Sequence, residues 1–249
     1  MPSLPDGCTL IEFQSVGSTN DEARARAEAG ATDGTVIWAR EQKAGRGRRG
    51  RDWSSPIGNL YTSTILRPER PAGEAAQLSL VAAVALAEAL EAVLPDGVAA
   101  ACKWPNDVLV DGKKIAGILL ESQGNGDAVS WIVIGCGVNV ASHPDTTAYP
   151  ATNVNALCDG AVMLEAMLEH YLTRLFAWRD IWRESGIEPV RRAWIARAAG
   201  LGGLITVRLP DRELSGRFHD MDADGALLLE LPDGVRKRIT AGDVFLGSA

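Results

Sequence analysis

Nine consecutive residues, Lys43-Ala44-Gly45-Arg46-Gly47-Arg48-Arg49-Gly50-Arg51, carry five cations, three glycines and no acid. A packed core cannot take such a segment, because unpaired charges are costly to bury and glycine weakens the interior of helices and strands. It must be a loop. The flanking runs Thr35–Ala39 and Leu60–Leu66 are rich in β-branched and apolar residues, so the sequence predicts strand, basic loop, strand. Glycine backbone N–H groups that approach oxygen ligands closely, next to forked guanidiniums, make an oxyanion clamp. The plain alternative is a solvated surface turn. GRGRRG also fits the spacing G-x-G-x-x-G of a dinucleotide fingerprint, but that motif opens a helix. Here Arg51-Asp52-Trp53-Ser54-Ser55-Pro56 and then Gly58-Asn59 follow, which speaks against one.

The chain as a whole does not attract polyanions. Among 249 residues, 25 are Lys or Arg and 32 are Asp or Glu, a formal charge of -7. No general affinity for nucleic acid or an anionic membrane follows from that balance, so any anion site is local. An arginine-rich loop with Trp53 available to stack a base keeps a nucleic-acid reading open beside the small-anion one. With 46% apolar residues the chain buries a sizeable core. Its first thirty residues lack a basic segment followed by an apolar one, so no secretory signal is expected and the location is read as cytoplasmic. The apolar run Leu78–Leu90 contains Glu88 and is shorter than the roughly 20 residues of a membrane span. Cys8, Cys102, Cys136 and Cys158 are far apart and without a C-x-x-C pair, which fits reduced thiols.

Local patterns divide the chain in two. Thr19 and Glu22 have capping-box spacing, and the alanine-rich stretch behind them predicts a helix over about 20–29. Gly73–Leu94 reads as the main buried helix, ended by Pro95. Val98–Lys103, Val108–Val110, Ile115–Glu121 and Trp131–Asn139 read as strands, with Asp111-Gly112 as a tight hairpin turn. Asp159 is placed to cap a long helix whose Met163, Met167, Tyr171, Phe176 and Trp178 pack into the core. A last helix covers about Glu188–Ala198. From Leu201 onward, Ile205–Leu209, Leu214–Phe218, Ala226–Leu231 and Val235–Ile239 form a small all-β module, barrel-like because short strands close on themselves to hide their edges. We therefore expect domains at 1–200 and 201–249.

A second cluster, Lys103-Trp104-Pro105-Asn106-Asp107, precedes Lys113-Lys114-Ile115-Ala116-Gly117, and these segments hold three of the five lysines. An ammonium neutralises a phosphate oxygen without fixing its direction. Asn106 and Asp107 carry oxygens of the kind a Mg²⁺ ion uses against phosphates, and Pro-Asn-Asp also makes an ordinary turn.

Taken in order, Gly17-Ser18-Thr19-Asn20, the run from Gln42 to Trp53, Lys103 to Asp107, Lys114 to Gly117 and Gly137-Val138-Asn139 resemble the biotin protein ligases, from about residue 12 to the end. The resemblance implies an α/β (α+β) catalytic domain, a mixed sheet with helices like that of class II aminoacyl-tRNA synthetases and lipoate ligases, and a small C-terminal SH3-like β-barrel. It also implies a reaction: biotin and MgATP give biotinyl-5'-AMP and pyrophosphate, and a lysine of a biotin carboxyl carrier protein then takes the biotinyl group.

By that resemblance, biotin would meet Ser18, Thr19, Asn20, Gln42, Gly45, Arg46, Gly47, Arg48, Lys114 and Gly117. ATP would meet Arg48, Arg49, Arg51, Trp53, Lys103, Asn106, Lys114 and Asn139. Arg48, Lys114, Lys103 and Asp107 would be the catalytic groups, with Asn106 and Asp107 at Mg²⁺, directly or through water. His143, His170 and His219 have no assigned part. The basic loop is expected to order and close on ligand binding, shielding the adenylate from water. Some relatives add an N-terminal DNA-binding domain. Only 17 residues precede Ser18, fewer than the roughly 50 a domain takes, so no operator-DNA binding is expected. A lipoate or other acyl-adenylate ligase is the alternative on the same scaffold. A sheet edge leaves monomer and homodimer both open.

Overall fold

A computed structural model describes residues 2–125, 128–145, 147 and 149–247. Seven strands form the main sheet: β1 (Thr9–Phe13), β2 (Thr35–Ala39), β3 (Leu60–Leu66), β4 (Ala100–Lys103), β5 (Asp107–Val110), β6 (Lys113–Asn125) and β7 (Ala128–Val138). Their order is β1-β2-β3-β7-β6-β5-β4. β1 and β2 run parallel, and every other neighbouring pair is antiparallel. This is the mixed sheet expected. The hairpin between β5 and β6 turns at Asp111 (φ 49°) and Gly112 (φ 71°), two left-handed residues in succession as a two-residue hairpin requires.

Helices cover both faces of the sheet. α1 (Thr19–Glu28) lays Ala23 and Ala27 against Ile37, Ile65 and Val133. On the other face lies α3 (Leu78–Glu91), preceded by the short α2 (Ala72–Ala75), and it packs with α4 (Leu164–Ser185) and α5 (Ile187–Ile195). α3 is apolar on nearly every side, a composition that requires burial all round. The stretch Ala72–Glu91 is long and apolar enough to cross a membrane, yet most of it is buried inside this fold.

Three details differ from the local patterns. α1 begins at Thr19 itself after an extended Ser18, with no side-chain cap, so the capping box does not form. α4 starts at Leu164, five residues beyond Asp159, and Met163 stays 66% exposed, although Met167, Tyr171 and Phe176 are buried as expected. β1 carries no strong sequence signal because as an edge strand it shows only a half-buried pattern.

The C-terminal segment forms a five-stranded antiparallel sheet: β8 (Leu204–Arg208), β9 (Glu213–Met221), β10 (Leu227–Glu230), β11 (Arg236–Ile239) and β12 (Asp243–Leu246), in the order β11-β10-β9-β8-β12. β12, only four residues long, is the strand that the sequence does not announce. It brings the second sheet against the basic loop of the first.

Candidate active site

Glycines shape both the floor and the roof of one cavity of about 690 Å³. The floor is β6 and β7, where a Cβ at Gly137 would lie 2.5 Å from the Trp53 indole nitrogen and one at Gly117 3.2 Å from the same ring. The absence of side chains there lets Trp53 lie flat across the sheet. The roof is the basic loop. A Cβ at Gly45 would come within 2.4 Å of Ser55 Oγ and 2.5 Å of the Trp53 carbonyl, so Gly45 serves the fold of the loop and does not itself line the cavity. Trp53 N–H donates to the Gly45 carbonyl and Gly47 N–H to that of Arg51, while Arg49 and Gly50 both take positive φ in the turn between them. After Gly50 no helix opens, and the next regular element is β3.

One wall offers neutral, directed hydrogen-bonding groups. The Thr19 N–H and hydroxyl both donate to Gln42 Oε1, at 2.8 and 3.0 Å, and Gln42 Nε2 donates to Ser55 Oγ at 2.9 Å. Asn20 Nδ2 donates to Glu121 at 2.8 Å, and Ser63 Oγ is 2.6 Å from Asn20 Oδ1. Ser18, Thr19 and Asn20 are buried, at the first turn of α1.

The opposite wall is cationic. Lys114 Nζ is 2.6 Å from Asp107 Oδ1, and Lys103 Nζ is 3.8 Å from Asp107 Oδ2 and 3.4 Å from the Tyr149 ring centroid. Burial pushes the Lys103 ammonium down to about 8, against the pull of Asp107. Burial also lowers the Arg48 guanidinium. Arg48 donates to Asn106 Oδ1 at 3.0 Å and to the Gly242 carbonyl at 3.2 Å. Arg46 bonds Asp21 at 2.6 Å, whereas Arg49 and Arg51 reach Asp243 at the start of β12. Asn139 lines the cavity with its amide donating to Thr152 O.

Of the residues to which the resemblance gives a ligand-binding or catalytic role, Ser18, Thr19, Asn20, Gln42, Arg46, Gly47, Arg48, Arg49, Arg51, Trp53, Lys103, Asn106, Asp107, Lys114, Gly117 and Asn139 meet at this one cavity, and Gly45 is the one that does not line it. Lys43 points away, paired with Glu41 at 2.7 Å. The sequence missed Tyr149, Arg208, Asp243 and Phe245, which also line the cavity. Tyr149 stacks on Phe245 with centroids 5.0 Å apart, and Arg208 lies over Phe245.

A neutral hydrogen-bonding pocket continuous with a cationic one suits a ligand pair in which a small acid meets a polyphosphate. Residues 10–139 match the model of the biotin/lipoate A/B protein ligase family. The chain belongs to that family. Within it, residues 200–247 match the C-terminal domain of biotin protein ligases. The chain is 44% identical to the biotin–[acetyl-CoA-carboxylase] ligase of Paracoccus denitrificans, covering 92% of this chain and 97% of that one. It is 34% identical to the bifunctional ligase/repressor BirA of Bacillus subtilis, covering 97% of this chain and 75% of that protein. Among solved structures, the biotin protein ligase of Aquifex aeolicus in complex with biotin and ATP superposes with a TM-score of 0.81 at 27% identity, covering 97% of this chain and 99% of that one. The expected fold class, that of class II synthetase-like biotin ligases, is the one found.

Proposed function

We propose that this family member is a biotin protein ligase, which joins biotin to AMP at the expense of ATP and passes the biotinyl group to a lysine of a biotin carboxyl carrier protein. The observation that carries the reading is the meeting of Arg48, Lys103 and Lys114 with the neutral Ser18-Thr19-Gln42 wall in one cavity. We assign residues 1–200 to catalysis, 201–249 to a supporting SH3-like domain, and the enzyme to the cytoplasm, where its free cysteines stay reduced.

In the first half-reaction a biotin carboxylate oxygen bonds to the α-phosphorus of ATP as the bond to the β-phosphate oxygen breaks, and pyrophosphate leaves. Two anions must approach each other. Arg48 and Lys114 offset that repulsion and stabilise the charge that grows on the phosphoryl oxygens, in a site where burial strengthens electrostatics. Lys103, Arg49 and Arg51 neutralise the departing pyrophosphate or the phosphates beside it. The ureido ring system, neutral and rigid, takes hydrogen bonds from the Thr19, Asn20 and Gln42 wall, where direction matters more than charge.

In the second half-reaction the carrier lysine, as the free amine, bonds to the biotinyl carbonyl carbon and AMP leaves with its phosphate. The mixed anhydride carries its own leaving group, so positioning supplies most of the acceleration. We assign Asp107, which Lys114 engages directly, to take the amine proton. Asn106 and Asp107 are oxygen donors that fit a Mg²⁺ ion resting mainly on phosphates and water. Among the described residues no cluster of three or more acidic, His or Cys ligands offers a dedicated cage. Such an ion, when bound with ATP, draws charge from the phosphate oxygens.

Mass spectrometry of a carrier domain after incubation with the protein, MgATP and biotin tests this, with lipoate in a parallel reaction. One biotinyl addition that requires both ATP and biotin is expected. Modification by lipoate alone, or none, refutes the assignment.

A further inference from the structure

The tip of the arginine loop is tied to the rest of the molecule chiefly through one carboxylate. Asp243 opens β12, its side chain is only 15% exposed, and three guanidiniums face it: Arg48 at 4.0 Å, Arg49 at 3.2 Å, and Arg51 in direct contact. The neighbouring Gly242 carbonyl accepts from Arg48 as well. The backbone bonds of the loop, Gly47 N–H to Arg51 O and Trp53 N–H to Gly45 O, are internal and do not anchor the tip. The other half-buried acid of this wall, Asp107, is taken by Lys114 and Lys103. Asp243 therefore stands to the arginines as Asp107 stands to the lysines.

Resting on the ligase reading, we propose that Asp243 is a built-in counter-anion, which holds Arg48, Arg49 and Arg51 in the ligand-free enzyme and yields them to the phosphates of the nucleotide. Three like charges within one turn repel unless they share an anion, and the half-buried Arg48 guanidinium has lost part of the water that would otherwise solvate its charge. A single carboxylate meets that need when the cavity is empty. A polyphosphate brings more charge and more acceptor oxygens, so the exchange runs toward the ligand. Asp243 is thus a positioning residue, acting on substrate through the loop. Its presence sets aside a fraction of the enzyme in which the arginines are already occupied, and apparent affinity falls by that fraction.

Asp243→Asn and Asp243→Glu test this, with Asp243→Ser in reserve should the amide variant fold poorly. Trypsin cleavage after Arg48, Arg49 and Arg51 is mapped by mass spectrometry without ligand and with inorganic pyrophosphate. KM for ATP is taken from biotin-dependent pyrophosphate release. Removing the charge should speed ligand-free cleavage at the loop and lower both KM for ATP and the pyrophosphate concentration that protects the loop, by roughly three- to tenfold, with kcat little changed. Asp243→Glu should keep wild-type values. Ligand-free cleavage at the wild-type rate, or a KM for ATP that rises, would overturn the proposal, since the carboxylate would then hold the loop in its binding form and not compete for it. Should the wild type release no pyrophosphate with biotin, the ligase reading fails, while the pyrophosphate protection arm still decides the role of Asp243.

Discussion

Gly135 is where one added methyl group has the most legible consequence. It lies on β7 between Ser63 of β3 and Leu119 of β6, directly beneath the buried amide of Asn20. A Cβ built there falls 2.1 Å from Asn20 Oδ1 and 2.9 Å from its Cγ. Asn20 cannot swing aside freely, because Ser63 lies 2.6 Å from its oxygen and its nitrogen donates to Glu121 at 2.8 Å. Gly135→Ala must expel the amide and break both contacts. A neutral hydrogen bond contributes about 1 kcal/mol net and one to a charged acceptor about 2. Against that, alanine gains about 0.5–1 kcal/mol over glycine inside a strand. The balance is a loss of about 2–3 kcal/mol, which for a protein of this size lowers Tm by roughly 5–10 °C.

Thermal and urea denaturation of Gly135→Ala, Asn20→Ala and the double variant measure it. With Asn20 truncated the methyl group has space, so the second substitution should then cost under about 1 kcal/mol, leaving a coupling of about 2. Gly73→Ala on α2, where a Cβ meets nothing within 4 Å, is the control and should be neutral or stabilising by up to about 1 kcal/mol. A Gly135→Ala loss below about 1 kcal/mol, or the same loss with and without Asn20, would refute the reasoning.

Arg48→Gly should speed release of the biotinyl adenylate more than it weakens biotin binding, because the lost cation faces phosphate; equal effects in stopped-flow release and biotin titration would contradict its role. Gln42→Ala removes the acceptor of both Thr19 bonds and should raise KM for biotin by roughly 10-fold or more with a smaller change for ATP, the equivalent of about 1.4 kcal/mol of directed binding. Limited proteolysis across residues 45–53 should slow when biotin and ATP are both present, and equal rates would remove the closing-loop expectation. Lys103, facing Asp107, Lys114 and Asp243, titrates near 8 when folded against an ordinary 10.5. Below about 8 both states hold the proton; between the two values only the unfolded chain does, so stability from this group rises with pH across that window. Lys103→Met should flatten that rise in urea melts taken from pH 8 to 10.5.

Much of the scaffold was legible because its signals are local. β2 and β3 fall on the residues that β-branching and apolar character select, since the glycine-rich loop ends the first and the turn at Gly58 opens the second. The cavity lining was legible for a related reason: three short segments of unusual composition converge, and unusual composition needs an explanation wherever it lies. What escaped is non-local. Thr19 has the spacing of a cap, but its N–H and hydroxyl are satisfied by Gln42, 23 residues away, and no periodicity carries that information. Gly45 looked like an open approach to a ligand, whereas Ser55 and the Trp53 carbonyl crowd it from behind.

Asp243 is the sharpest case. Its segment, Ala241-Gly242-Asp243-Val244, has nothing to mark it, and its partner Arg49 is 194 residues distant. The one sequence property that pointed to it is the imbalance in the loop itself. Five cations without an acid, in a chain whose formal charge is -7, require carboxylates supplied from elsewhere, and the fold brings in Asp21 and Glu121 for Arg46 and Asp243 for the tip. Global charge was therefore no guide to how the loop is held. Wherever a self-repelling cluster ends up ordered, the acid that faces it belongs on the list of site residues before any ligand is considered, because a ligand of the same sign must displace it.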